Sequence, residues 1–207
     1  MRRLLVALFA LGIAAEPCAA ATFKRSTAIE SRAAIDAVCD VYNARPNLIR
    51  RVQMARVHQA ASAGIWKTST DDALAKLQSS GNLNADFADV FSRDDKIVYA
   101  IFTRGDATGD GGGADEYCYI NQKLARASTE LVDTSTDHEV SRKLYFDARG
   151  GLFADTGAMI RDIDKRRNAT VPEAYTAPLD IPVYATPAKL PFYGAYRAAL
   201  VGKLPAL

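Results

Sequence analysis

The chain has 207 residues, with 26 basic and 24 acidic side chains and 49% hydrophobic residues. A charge balance this close to neutral lacks the clustered positive surplus that nucleic acid or an anionic membrane surface requires, so neither is an expected partner. The length and apolar share fit one domain around a single packed core.

Arg2 and Arg3 precede an apolar run from Leu4 to Ala15, followed by Pro17 and small residues through Ala21. This is the layout of a secretory signal. The run falls short of the roughly 20 apolar residues that a bilayer-spanning helix needs. The reading is therefore cleavage of residues 1–20, no transmembrane segment afterwards, and a periplasmic or secreted location. Cys18 follows Ala15, Glu16 and Pro17, which are not the small and aliphatic residues that lipid attachment requires. Beyond the signal the cysteines are Cys39 and Cys118, and an oxidising compartment pairs two such thiols in a disulfide. Closing a loop of that size restricts the unfolded chain by roughly 4 kcal/mol.

The next elements read as helices. Ala28 to Ala44 carries Ile29, Ala33, Ala37 or Val38, and Val41 at helical spacing, with Thr27 and Glu30 placed as a capping box. Pro46 ends it. Leu48 to Ala61 is predicted as a second helix that turns Leu48, Ile49, Val52 and Ala55 inward and Arg50, Arg51 and His58 outward. A third runs from Asp71 to Gln78, started by Ser69 or Thr70 and stopped near Gly81.

From Phe87 the texture changes to short β-rich runs between polar turns. Strands are predicted at Phe87–Ser92, Ile97–Arg104, Glu116–Asn121, Leu124–Asp133, Val140–Asp147 and Leu152–Thr156. The connections are too short for crossover helices, so successive strands pair as an antiparallel meander. Ala125, Ala127, Thr129 and Leu131 alternate with Arg126, Ser128 and Glu130, which predicts one wet face there. Ile97 to Phe102 is apolar throughout and predicts a central strand covered on both sides. After Asp162 the pattern dissolves into Pro172, Pro178, Pro182, Pro187 and Pro191, an extended arm. Phe192 to Leu204 could close it with an amphipathic helix, Phe192, Tyr193, Tyr196, Leu200 and Leu204 on one side.

The expected fold class is α+β: N-terminal helices packed on a five- to six-stranded antiparallel meander over residues 21–168, with a proline-rich C-terminal arm over 169–207. The arm either docks on its own core or, through its aromatic residues in 172–207, reaches a protein partner.

Candidate chemistry centres on the glycine-rich stretch from Gly105 to Glu116. Its carboxylates Asp106, Asp110, Asp115 and Glu116 offer the oxygen ligands hard cations take. The stretch resembles the calcium loop of the helix-loop-helix family at Asp106, Thr108, Asp110 and Gly111, and the resemblance implies calcium as the one cofactor. It departs at the twelfth position, where Tyr117 stands and Glu116 falls one residue early. A phosphate loop is excluded because this stretch contains no lysine followed by serine or threonine and no helix is predicted after it. Only His58 and His138 offer an imidazole, and no Gly-x-Ser-x-Gly elbow accompanies them. Asp133, Asp137, Asp147 and Asp155 read as turn residues, and Tyr99, Tyr117, Tyr119 and Tyr145 as core and cross-strand pairs. The sequence thus points to an exported, non-enzymatic binding or envelope-associated protein. The alternative is a hydrolase using carboxylates or a divalent cation in the Asp106–Glu116 loop.

Overall fold

The computed structural model describes residues 31–44, 50–58, 64–79, 85–105, 111–133, 138–162, 168–169 and 179–206. The signal segment, Thr27, Glu30, Asp106, Asp110, Asp137, Pro172 and Pro178 lie outside them. Among the described residues, no helix is long and apolar enough to cross a membrane.

The chain builds a mostly antiparallel sheet. Its strands are β1 (Arg50–Val57), β2 (Lys67–Thr68), β3 (Ala85–Arg93), β4 (Lys96–Gly105), β5 (Gly111–Ile120), β6 (Lys123–Asp133), β7 (His138–Phe146), β8 (Leu152–Asp155), β9 (Met159–Asp162) and β10 (Asn168–Ala169). They lie in the order β10-β9-β7-β6-β5-β4-β3-β1-β2, with β8 also paired to β7. The helices are α1 (Arg32–Ala44), α2 (Asp71–Ser79) and α3 (Tyr193–Leu200).

The stretch predicted as a second helix is strand β1. It pairs with β3 over its whole length, Arg50 opposite Ser92 through Val57 opposite Ala85. Cross-strand charge explains the outcome: Arg51 binds Asp89 at 2.9 Å, and Arg56 binds Asp86, its direct register partner. Opposite charges facing across a ladder stabilise pairing, and the helical period of this segment is too imperfect to compete.

The hairpins from β3 to β7 follow the predicted meander. Asp94 and Asp95 join β3 to β4, and Asn121 and Gln122 join β5 to β6, all four with positive φ. Two-residue turns of this hand match the twist of the flanking strands. The predicted loop before Glu116 is shorter than expected, because Gly111 to Asp115 already belong to β5.

Helix α1 crosses one face of the sheet. Ser31 caps it, its Oγ accepting from the Ala34 N–H at 3.2 Å. The buried stripe differs from the predicted one: Ile35 and Cys39 are buried, while Val41 is exposed. The helix is rotated so that Cys39 meets Cys118 rather than so that its alanines and valines are covered. They form a disulfide with their Cα atoms 5.8 Å apart. Around it pack Phe91, Tyr99, Ala125 and Tyr145.

The opposite face carries the larger core, including Met54, Val90, Phe102, Tyr117, Ala127 and Leu144. Ile181, Leu190, Phe192 and Tyr196 from the C-terminal segment join it, as does Trp66. Trp66, Phe102 and Phe192 form a triangle with centroids 5.7 to 6.4 Å apart. Tyr193, Leu200 and Leu204 pack partly buried against this core and Arg197 stays exposed. Further on, Thr68 forms a parallel bridge with Ala206, and its N–H donates to the Pro205 carbonyl at 2.8 Å.

Candidate functional site

The α1 face of the sheet holds an ionic network beside the disulfide. Arg126 on β6 lies directly across from Cys118 and is only 3% exposed. Its Nη1 donates to Asp36 at 2.6 Å and to Asp40 at 2.8 Å, both from α1. Asp36, Cys39 and Asp40 follow one another at helical spacing, so one helix face delivers the thiol and both carboxylates. Burial lowers the Arg126 pKa, but the two aspartates more than offset it and the net shift is upward. Tyr145 donates to Asp36 at 3.1 Å; burial and that carboxylate push its phenol up to about 12. The Tyr99 phenol is also raised, by burial first and by Glu116 next, with Arg126 opposing. The wet face predicted for β6 is thus corrected at Arg126 and Ser128, both buried; alternation holds from Arg126 onward, while Ala125 packs on the α1 side with Tyr99 and Tyr145, where the register shifts between Cys118 and Tyr119.

Where α1 ends, a groove opens at the hairpin end of the sheet. It has a volume of about 410 Å³ and is lined by Tyr42, Arg93, Asp94, Lys96, Val98, Tyr119, Ile120, Asn121 and Gln122. Tyr42 comes from the last turns of α1, Arg93 to Val98 from the β3–β4 hairpin, and the rest from the β5–β6 hairpin. The Arg93 guanidinium stands 6.0 Å from the Tyr42 ring centroid. Gln122 is pinned by donating its Nε2 hydrogen to the Ile97 carbonyl at 2.9 Å. The volume falls within the roughly 300–1,000 Å³ of small-molecule sites. The groove therefore combines two cations, an aromatic face, an apolar floor and two amides.

Of the sequence-predicted metal ligands, Asp106 and Asp110 lie outside the described residues, and Asp115 and Glu116 do not line this groove. Asp115 and Glu116 are adjacent on β5, so their side chains project to opposite faces. Asp115 is buried on the C-terminal-segment side and accepts from Thr129 at 2.8 Å. Glu116 accepts from Ser128 at 3.1 Å on the α1 side. Among the described residues, no three His, Cys, Asp or Glu side chains gather in a way that could hold a metal ion.

The two histidines also separate. His58 follows β1 rather than riding a solvated helix face, and its Nε2 lies 3.0 Å from Asp86, which Arg56 also binds. The Arg56 guanidinium sits 4.9 Å from the Trp66 ring centroid. His138 opens β7, opposite Asp133 and Asp162. Two of the turn aspartates match their reading: Asp147 accepts from the Gly151 and Arg149 N–H groups, which lower its pKa, and Asp155 accepts from the Gly157 N–H at 2.8 Å while binding Arg142 at 2.7 Å.

On the open part of the α1 face, Glu130 stands exposed, its pKa raised by partial loss of hydration and then by Glu139 and Glu116. Comparison with protein-family models, with curated proteins and with solved structures finds no match for this chain.

Proposed function

We propose that this is an exported, periplasmic or secreted, non-enzymatic binding protein whose working surface is the groove between the end of α1 and the two hairpins. The observation that carries the reading is the convergence of Tyr42, Arg93, Lys96, Asn121 and Gln122 on one cavity. Rigid elements hold these residues, with α1 tied to the sheet by the Cys39–Cys118 disulfide. A disulfide closing so long a loop suits an oxidising compartment. Small-molecule sites take this form, a concave and partly apolar surface with a few placed polar groups.

The test has two arms. In a producing cell, the chain should be recovered outside the cytoplasm, shortened at its start, and should resist thiol alkylation until reduced. In solution, a small-molecule library screened by amide chemical shifts should give hits that move Tyr42, Lys96, Asn121 and Gln122 together, without turnover. Hits that cluster elsewhere, or cytosolic chain with both thiols reduced, would refute the proposal.

A second reading, a hydrolase working through carboxylates, is favoured by one observation: the raised Glu130 carboxyl beside Glu139 and Glu116. Acid–base pairs are drawn from neighbouring carboxylates that raise one another's pKa. Turnover in a broad hydrolase screen that disappears in Glu130→Gln would establish it.

A further inference from the structure

We infer that the groove takes a ring-shaped ligand bearing a single carboxylate. This deepens the binding reading above and rests on it. The first argument is charge. Arg50, Arg51, Arg56, Arg126, Arg142 and Arg161 each bind an aspartate or glutamate. Arg93 and Lys96 have no carboxylate partner among the described residues, which is also true of other surface cations such as Arg149 and Arg197, but these two stand exposed, paired across the β3–β4 hairpin, and both line the groove. The neighbouring Asp95 is turned to Arg50 at 3.5 Å. A guanidinium presents a planar fork that matches a carboxylate through two parallel hydrogen bonds. With Asp94 as the acid in the lining, Arg93 and Lys96 leave a surplus of one positive charge. That surplus balances a monoanion and leaves a phosphate dianion under-neutralised.

The second argument is shape. Tyr42 offers a ring face beside Arg93, at the outer limit of about 6 Å for a cation–aromatic contact. A guanidinium at that distance is aligned with the ring but not closed onto it. Val98 and Ile120 give an apolar floor, which a flat ring covers and an extended polar chain does not. Asn121 and Gln122 line the groove with amides; with the Gln122 Nε2 donating to the Ile97 carbonyl, the Asn121 amide and the Gln122 oxygen remain suited to hydroxyl groups on the ring's edge. Both a sugar acid and an aromatic acid satisfy this chemistry.

The test titrates the oxidised protein with glucuronate, benzoate and neutral glucose, following amide shifts and heat. Binding of at least one acid at the groove, at least tenfold tighter than glucose, supports the assignment. Glucuronate ahead of benzoate identifies a sugar acid, and the reverse an aromatic acid. Arg93→Gln should weaken the acid at least tenfold, while Lys189→Gln, on the opposite side of the sheet, should leave it unchanged. Glucose binding as tightly as the acids, or an Arg93→Gln affinity within twofold of the parent, overturns the ligand class while the groove remains a binding site. No response to either acid overturns the ligand class as well. The groove itself fails only if library hits also avoid Tyr42, Asn121 and Gln122.

Discussion

The two faces of the sheet are covered by opposite means. On one, α1 buries Ile35 and Cys39 and is otherwise fastened by a covalent bond and by charge: Cys39 to Cys118, Asp36 and Asp40 to Arg126, Asp36 to Tyr145. On the other, the C-terminal segment lays down Leu179, Ile181, Leu190, Phe192 and Tyr196, all buried, and aromatic packing does the holding. Fixing each backbone residue costs about 1–2 kcal/mol, so a helix with so little apolar area depends on its point attachments. The groove sits at the end of the attached helix. Reduction of the bridge is therefore expected to disturb the groove before it disturbs the aromatic face.

The sharpest way to break this contrast is the double change Cys39→Ser with Cys118→Ser. It should lower unfolding free energy in urea by roughly 4 kcal/mol, the entropy of a loop this long. Hydrogen exchange should speed up in α1 first, while Trp66 fluorescence, the signal of the sole tryptophan, should stay native until global unfolding. A loss under about 1 kcal/mol would mean that the bridge is not what fastens α1. Phe192→Ala strikes the other side. Removing a fully buried ring costs about 3–4 kcal/mol, and here Trp66 emission should shift while α1 protection persists.

A third change refines the charge half of the comparison. Arg126→Ala leaves Asp36 and Asp40 facing a cavity and should cost about 2–3 kcal/mol, less than a fully buried pair because both aspartates reach solvent. Replacing the set together, Arg126→Met with Asp36→Asn and Asp40→Asn, should cost less than Arg126→Ala alone in the same denaturation assay. If the triple change costs more, the pairs are a net source of stability rather than a means of orienting the helix.

The smallest effect appears only in alkali. Burial and Asp36 raise the Tyr145 phenol from 10.0 to about 12. The unfolded phenol ionises first, so this contribution is complete below about pH 10 and is lost as pH rises through about 12. Absorbance at 295 nm should show a tyrosinate step near 12 that Tyr145→Phe removes.

The sequence made legible whatever rests on local pattern or on a pair of thiols. The unbroken apolar run of β4, the polar turns around Asp94 and Asn121, the amphipathic spacing of α3 and the Cys39–Cys118 bridge are all present. What it hid depends on partners distant in the chain. β1 reads as a poor helix until β3 is placed beside it, with Asp86 opposite Arg56 and Asp89 diagonal to Arg51. The phase of α1 follows Cys118 and Arg126, not its own alanines. The groove draws on Tyr42, Arg93 and Gln122, side chains that share no period and no motif. Asp115 and Glu116 suggested a shared ligand only while that stretch was read as a loop. Once it extends as β5, adjacent carboxylates must part.

The bridge between Thr68 and Ala206 has a consequence for how copies of this molecule meet. An open sheet invites templated growth through its unpaired flanks. Here one flank is occupied by the chain's own residues 205–206 against β2, and the other is interrupted where β8, β9 and the two-residue β10 share it. Among the described residues the strands at the two ends of the sheet, β2 and β10, are two residues each, so a second molecule meets little ladder to copy there.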